Sequence, residues 1–254
     1  MKTIGIALSG GGVRGFAHLG VLQALEELGI KVSAISGVSA GAIVGAFYAA
    51  GYKPMEILEL VKAQNYFKLS SFALSRTGLF SLKNVDALLH RLIKENNFEH
   101  LNIPLYITAT NLSEGLSLTF SEGPLFDKII ASACVPAIFA PILIDGKYYV
   151  DGGVLNNFPV ECLREKCDAI IGSHVNKLYD GTHIDINRIQ IVEHCFHLAI
   201  ASKVYTQAAL CDVFIEPYLP GLGLFEVKQA NKIFEIGYNT AMLQKEKLLA
   251  FSLP

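Results

Sequence analysis

The sequence predicts an α/β fold, in which a mostly parallel central sheet is covered by helices on both faces. The first 51 residues show strand and helix patterns in the order strand, loop, helix, strand, turn, helix, which is typical of a parallel sheet. Short apolar runs bounded by glycine indicate buried strands. The 254 residues are 52% hydrophobic and 17% charged, which provides enough apolar surface for one large core.

Two strands and four helices are predicted in the first 95 residues, from hydrophobic spacing and from the residues at their ends. Leucine recurs at helical spacing after the first glycine loop and stops at Gly29, a natural C-cap. Pro54 is suited to a first helical turn. The strands are predicted at 3–8 and 32–36, and the helices at 16–28, 40–51, 54–64 and 83–95.

The remainder of the chain continues the alternation and adds a hairpin, whose turn Asp145-Gly146 is a dipeptide favoured in two-residue loops. Because no linker, repeat or low-complexity tract interrupts the order, residues 1–254 are interpreted as one domain. Strands are predicted at 104–110, 115–120, 168–173 and 211–217, the hairpin at 141–150, and helices at 124–133, 187–210 and 226–249.

Residues 65–82 show no period and mix aromatic side chains with serine. This stretch is either a long packed loop or a lid that faces a substrate, because long irregular segments inside compact domains are often functional. If it is a lid, substrate choice would be set there.

Charge and composition exclude several classes of protein. The net charge is −2 and no basic run occurs, so a nucleic acid partner is not expected. The five cysteines form neither a disulfide framework nor a zinc pattern. No targeting segment and no spanning helix are expected, so the protein is predicted to be cytoplasmic, with any membrane contact peripheral. The mean hydropathy of +0.40 indicates either a large buried sheet or a surface that touches lipid.

The glycine loop SGGGVRG follows the first strand and has the spacing G-x-G-x-x-G, formed by Gly10, Gly12 and Gly15. A dinucleotide site of this type also needs an acidic residue at the end of the second strand. That strand ends at Ser36-Gly37, and the chain has no G-x-x-x-x-G-K-[ST] motif. A nucleotide site is therefore not favoured, and the loop needs another explanation.

The segment GVSAG, from Gly37 to Gly41, places Ser39 on a predicted strand-to-helix turn. This is the context of a nucleophilic serine, because flanking glycines permit a sharp turn that exposes the hydroxyl. The following helix points its N-terminus at the site and favours developing negative charge. The alternative is a serine that only caps the helix.

A nucleophilic serine needs an oxyanion site and a base. Backbone N–H groups of the glycine loop can form the oxyanion site, where Arg14 either adds positive charge or braces the loop. Asp151 follows an apolar strand and precedes Gly152-Gly153, so it is either the base or an ordinary turn aspartate. The candidate histidines lie in a predicted helix, at a strand end or outside a suitable loop, and none is favoured as a catalytic group: His174, His183, His194 and His197.

Three segments in this order, GGGVRG, GVSAG and DGG, resemble the motifs of the patatin-like phospholipase family. The likeness also includes ASACVPAIFAP at 131–141 and residues 211–240, and it is strongest to compact bacterial single-domain members. It implies a three-layer fold of the patatin/acyltransferase type. It also implies a Ser–Asp dyad of Ser39 and Asp151, and an oxyanion hole at Gly11, Gly12 and Arg14. The remaining motif positions are Gly10, Gly15, Gly37, Gly41, Gly152 and Gly153.

The resemblance implies a serine lipid acyl hydrolase that acts on phospholipids or lysophospholipids through an acyl-serine intermediate. No metal or other cofactor is expected, since the sequence shows no cluster of calcium or zinc ligands. Two alternatives remain. One is an acyltransferase that uses the same dyad, and the other is a lipid-binding regulatory protein with little turnover.

Overall fold

One mixed sheet organises the computed structural model, which describes residues 2–63, 82–178, 188–220 and 227–251. Its strands are β1 Ile4–Leu8, β2 Ala34–Gly37, β3 Leu105–Asn111, β4 Leu116–Phe120, β5 Ile142–Ile144, β6 Lys147–Asp151, β7 Ala169–Ser173 and β8 Val213–Ile215. Within the described ranges these eight strands pair in the order β5-β6-β3-β2-β1-β7-β8, with β4 paired to β3 outside this path. Strands β3, β2, β1, β7 and β8 are parallel neighbours, whereas β4, β5 and β6 are antiparallel to theirs.

Helices cover both faces of the sheet, as the sequence predicts. They are α1 Phe16–Glu27, α2 Ala40–Ala49, α3 Pro54–Ala63, α4 Lys83–Leu92, α5 Phe126–Ala133, α6 Glu161–Arg164, α7 Arg188–Ala208, α8 Ala230–Met242 and α9 Lys245–Leu249. Alternate side chains of a strand point to opposite faces. Ile6 and Ile171 thus enter the larger core with α1, α2, α3 and α8, whereas Ala7 and Ile170 enter a smaller core with α6 and α7.

Strand β3 is the point at which two parts of the sheet meet. Its residue Ile107 pairs with Gly37 of β2 on one side and with β4 on the other. Two residues later, Ala109 pairs with Asp151 of β6 and again with β4. A strand has only two edges, and β4 occupies one edge of β3. Strands β2 and β6 therefore pair with successive parts of the other edge. They run in opposite directions, so their carboxyl ends face each other beside Thr108.

Two predictions about helices differ from the structure. The helix predicted at 226–249 is divided, because α8 ends at Met242 and a turn with Leu243 exposed lets α9 bring Leu248 back to the core. The short helix α6 was not predicted, since four residues are too few to show a helical period.

The hairpin prediction is confirmed, with Asp145 and Gly146 at φ 48° and 77°, both in the left-handed region that this turn requires. The possible lid at 65–82 lies outside the described residues except for Leu82. In the part of the chain that is described, no helix has both the length and the apolar character needed to cross a bilayer.

Candidate active site

Ser39 lies on the sharp turn between β2 and α2, with φ 54° and ψ −120°. A residue other than glycine adopts this region only at a cost of about 1–3 kcal/mol, so the surrounding structure must hold it there. Gly41 contributes to this restraint, because its lack of a side chain lets the start of α2 pack closely against the end of β1. A methyl group at its Cα would collide with the carbonyl oxygen of Leu8. Although Ser39 occupies the N-cap position of α2, its hydroxyl makes no capping hydrogen bond. The interpretation as a helix cap is therefore wrong.

The hydroxyl of Ser39 instead lies within reach of the Asp151 carboxyl and acts to lower its pKa. Both residues are buried, with 7% of Ser39 and 5% of Asp151 exposed. The contact follows from the junction on β3, because Ser39 comes just after β2 and Asp151 is the last residue of β6. The structure thus brings the predicted serine and the predicted aspartate together.

Burial raises the pKa of the Asp151 carboxyl to about 6, and hydrogen bonds from the Ser39 hydroxyl and the Gly153 amide oppose this shift. The Gly153 N–H donates to Asp151 Oδ1 over 2.7 Å, and the Asp151 N–H donates to the Cys134 carbonyl over 2.9 Å. The Asp151 carboxyl therefore accepts a hydrogen bond from the turn that follows it and also contacts Ser39. A carboxyl with a pKa near neutrality is suited to accept a proton and return it.

Ser132, on α5, supports the serine turn and was not singled out from the sequence, although it belongs to the quoted segment ASACVPAIFAP. Its Oγ accepts a hydrogen bond from the Ser39 N–H over 2.9 Å and donates one to the Thr108 carbonyl over 2.7 Å. It therefore links the strained turn to β3 at the junction. The serine in that segment was the available signal, but no local pattern shows which backbone amide it would meet.

We expect Ser132→Ala to lower the free energy of unfolding by about 1–3 kcal/mol, because the buried Ser39 N–H loses its acceptor. We also expect kcat to fall on the order of tenfold, since the nucleophile shifts. Ser33→Ala is the matched control, because its Oγ accepts from the Ile4 N–H over 3.2 Å near the opposite end of the strands. Melting temperature and ester hydrolysis are measured for both variants. Wild-type kcat in Ser132→Ala would contradict the support role.

The glycine loop runs beside Ser39, since a methyl group at Gly10 would lie 3.2 Å from Ser39 Cβ. Gly12 has φ 56°, a conformation that favours glycine, and begins a short 3-10 turn through Gly15. Within the described part of the chain, the N–H groups of Gly11 and Gly12 donate to no protein acceptor. Both therefore remain available to hydrogen-bond a ligand next to the serine.

Arg14 is buried, and its Nη1 donates to Asn176 Oδ1 over 2.8 Å. Its charge also acts on α7, where burial and then Arg14 lower the pKa of His197 to about 3. These contacts favour the bracing interpretation of Arg14.

The remaining motif glycines allow close contacts between the loops. A methyl group would meet Ala40 Cβ at Gly15, Gly41 O at Gly37, Thr108 O at Gly152 and Asn157 Oδ1 at Gly153.

Two buried histidines near these loops contact polar groups other than Ser39 and Asp151. His18 Nε2 donates to the Ser9 carbonyl over 2.9 Å and its Nδ1 accepts from the Ser173 hydroxyl over 2.8 Å, while burial lowers its pKa to about 4. His174 Nδ1 lies 3.0 Å from Glu216 Oε1. His183 lies outside the described residues. The geometry thus favours a pair of Ser39 and Asp151 over a triad.

Comparisons with known proteins identify the family of this chain. The model of the family described as patatin-like phospholipase matches residues 6–163, a span that contains the glycine loop, Ser39 and Asp151. An uncharacterized NTE family protein of Mycobacterium tuberculosis is 35% identical over 160 residues, which cover 62% of this chain and 44% of the relative. Lysophospholipase NTE1 of Saccharomyces cerevisiae is 30% identical over 191 residues, which cover 72% of this chain and 11% of the relative. The chain therefore spans less than half the length of these relatives.

Among solved structures, VipD from Legionella pneumophila matches with a TM-score of 0.58 and 16% sequence identity. The match covers 96% of this chain and 67% of that protein. At this identity the likeness shows the fold, and it supports the α/β sheet with helices on both faces.

Proposed function

Because this chain belongs to the patatin-like phospholipase family, we propose that it is a serine hydrolase of lipid carboxylic esters, with Ser39 as nucleophile and Asp151 as general base. The observation that carries the proposal is the approach of the Ser39 hydroxyl to the buried Asp151 carboxyl, whose pKa it acts to lower. Nucleophile and base within hydrogen-bond reach are the signature of covalent acyl transfer. The amides of Gly11 and Gly12, which donate to no protein acceptor among the described residues, lie beside this pair and can supply the third requirement, an oxyanion site.

In the first half of the reaction, Asp151 accepts the hydroxyl proton while Ser39 Oγ attacks the ester carbonyl carbon. The carbonyl oxygen becomes an oxyanion, which the N–H groups of Gly11 and Gly12 stabilise. When the tetrahedral intermediate collapses, the bond to the leaving alkoxide breaks, and Asp151 returns the proton to that oxygen. The product is an alcohol, and the acyl group stays on Ser39.

In the second half, Asp151 takes a proton from a water molecule, whose oxygen attacks the acyl carbon. The same amides stabilise the second oxyanion. Its collapse releases the fatty acid and leaves the Ser39 oxygen, which receives the proton from Asp151. Every proton is returned, so this sequence uses only Ser39, Asp151, the loop amides and water.

We infer that the substrates are phospholipids or lysophospholipids, because a related yeast protein is named a lysophospholipase and the family is named for phospholipases. The test measures fatty acid release from a lysophospholipid, a diacyl phospholipid and a short water-soluble ester. Each lipid is offered both as vesicles or micelles and as monomers, so the rates also report action at a lipid surface. Glycerol is added as an acyl acceptor, because a glyceride product would favour the acyltransferase alternative. Lipid binding without release of any acid or ester would contradict both enzymatic functions.

The pH profile tests the role of Asp151. The carboxylate must be ionised to accept the serine proton, and burial raises its pKa to about 6. We therefore expect kcat/KM for a water-soluble ester to rise with pH up to about 6 and to level off above it. Melting temperatures over the same range serve as the control for unfolding. A profile that is flat from about pH 4.5 to 8 would contradict a general base with this pKa.

A further inference from the structure

Asn176 follows strand β7 and has both ends of its side-chain amide hydrogen-bonded to the glycine loop. Its Nδ2 donates to the Gly10 carbonyl over 2.6 Å, and its Oδ1 accepts from Arg14 Nη1 over 2.8 Å. The residue is 5% exposed and lies 166 positions from Gly10 in the chain. No motif in the sequence analysis included it.

The orientation of this amide is determined by chemistry. A guanidinium group has only donors, so the atom that faces Arg14 must be the amide oxygen. The NH₂ group is then left to face the Gly10 carbonyl, which can only accept. Arg14 thus selects the end of Asn176 that meets the glycine loop.

The contact at Gly10 determines the direction of the next N–H. In a trans peptide the carbonyl of one residue and the N–H of the next point in opposite directions. With the Gly10 oxygen turned toward Asn176, the Gly11 N–H must point away from Asn176. Ser9 Oγ adds a second donor to the same oxygen over 3.1 Å and accepts in turn from the Val175 N–H over 3.1 Å.

A peptide between two glycines needs such a restraint, because glycine populates many backbone conformations and its peptide planes reorient easily. The amide of Asn176 also lies against Gly11, where a methyl group would stand 3.0 Å from Asn176 Oδ1. Without Asn176, the Gly10–Gly11 peptide would lose its strongest restraint while Ser39 and Asp151 kept their own contacts.

We infer that Asn176 is a positioning residue, which fixes the Gly10–Gly11 peptide so that the Gly11 N–H is directed at the oxyanion. This inference rests on the proposed function, since it assigns a task within the proposed oxyanion site. Arg14 acts through Asn176 by setting the direction of its amide, and it is a brace of the loop.

The experiment compares two replacements of Asn176 with a matched control. Asn176→Ala removes both contacts, whereas Asn176→Asp keeps an acceptor for Arg14 and removes the donor to Gly10. Asn111→Ala is the control, because this fully buried amide also has both ends engaged, by the side chain and the backbone N–H of Glu114. Steady-state kinetics are measured with a water-soluble ester and with its thionoester, in which sulfur replaces the carbonyl oxygen. Melting temperatures are recorded for all variants.

Both Asn176 variants should show kcat lower by about tenfold to a hundredfold with KM little changed, because the contact acts mainly on the transition state. The preference for the oxygen ester over the thionoester should shrink, since sulfur is a poor hydrogen-bond acceptor and gains little from a well-aligned amide. Asn111→Ala should keep both kcat and this preference.

Three results would overturn the inference. Wild-type kcat in Asn176→Asp would show that the donor to Gly10 is dispensable. An equal loss with both esters would indicate a general structural role. A folded wild type that hydrolyses neither ester would remove the proposed function and this inference together, whereas the first two results leave the proposed function intact.

Discussion

Ser39→Ala is expected to lower ester hydrolysis by about 10⁴-fold or more, because the variant keeps the oxyanion site and the base but has no nucleophile. The same variant should fail to react with a fluorophosphonate, whereas intact mass of the wild type should show a single adduct. Ser36→Ala is the matched control, since Ser36 is also buried in this region but donates its hydroxyl to the Pro159 carbonyl over 2.7 Å. Adduct formation in Ser39→Ala would show that another residue is the nucleophile.

The strained backbone of Ser39 gives this experiment a second readout. Glycine adopts φ 54° without the cost that alanine or serine carries. We therefore expect Ser39→Gly to melt at a higher temperature than Ser39→Ala, although both are inactive. A difference on the order of 1 kcal/mol in the free energy of unfolding would indicate strain at the turn. Equal stability of the two variants would contradict it.

Asp151→Asn is expected to lower kcat by about 10²–10⁴-fold, because an amide of the same shape cannot accept the serine proton. Fluorophosphonate labelling should be slowed but not abolished, since Ser39 remains. Asp145→Asn is the matched control, because Asp145 lies exposed in the turn before β6 and asparagine tolerates its positive φ. Wild-type labelling and kcat in Asp151→Asn would exclude Asp151 as the base.

The same variant should also change how stability depends on pH. The pKa of Asp151 is raised in the folded state, so its stabilising contribution is present in full below its unfolded pKa and is lost as pH rises through about 6. A rise in pKa from 3.8 to about 6 corresponds to about 3 kcal/mol above pH 6. We therefore expect Asp151→Asn to be more stable than the wild type at about pH 8 and nearly equal to it at about pH 4. Equal stability at both values would contradict the raised pKa.

Much of the local structure was predictable because its causes are local. Glycine and serine around Ser39 predict a sharp turn, and the structure confirms it, with the left-handed backbone at that residue. The hairpin at Asp145-Gly146 is confirmed for the same reason, since two positive φ angles favour these residues. The break after Met242 was missed, because it depends on where Leu248 meets the core and not on a break in the helical pattern.

The sequence by itself determined the fold class from the order of its elements and the motifs from short runs of neighbouring residues, and the two proposed reacting residues followed from the resemblance of these motifs to a family. Only the tertiary structure decided how these runs meet. The shared edge of β3 brings the end of β2 to the end of β6, and so brings Ser39 to Asp151. The pairing of β7 with β1 likewise brings Asn176 to the glycine loop. Such contacts depend on strand pairing between distant segments, and a local pattern carries no information about which distant segment will be its partner.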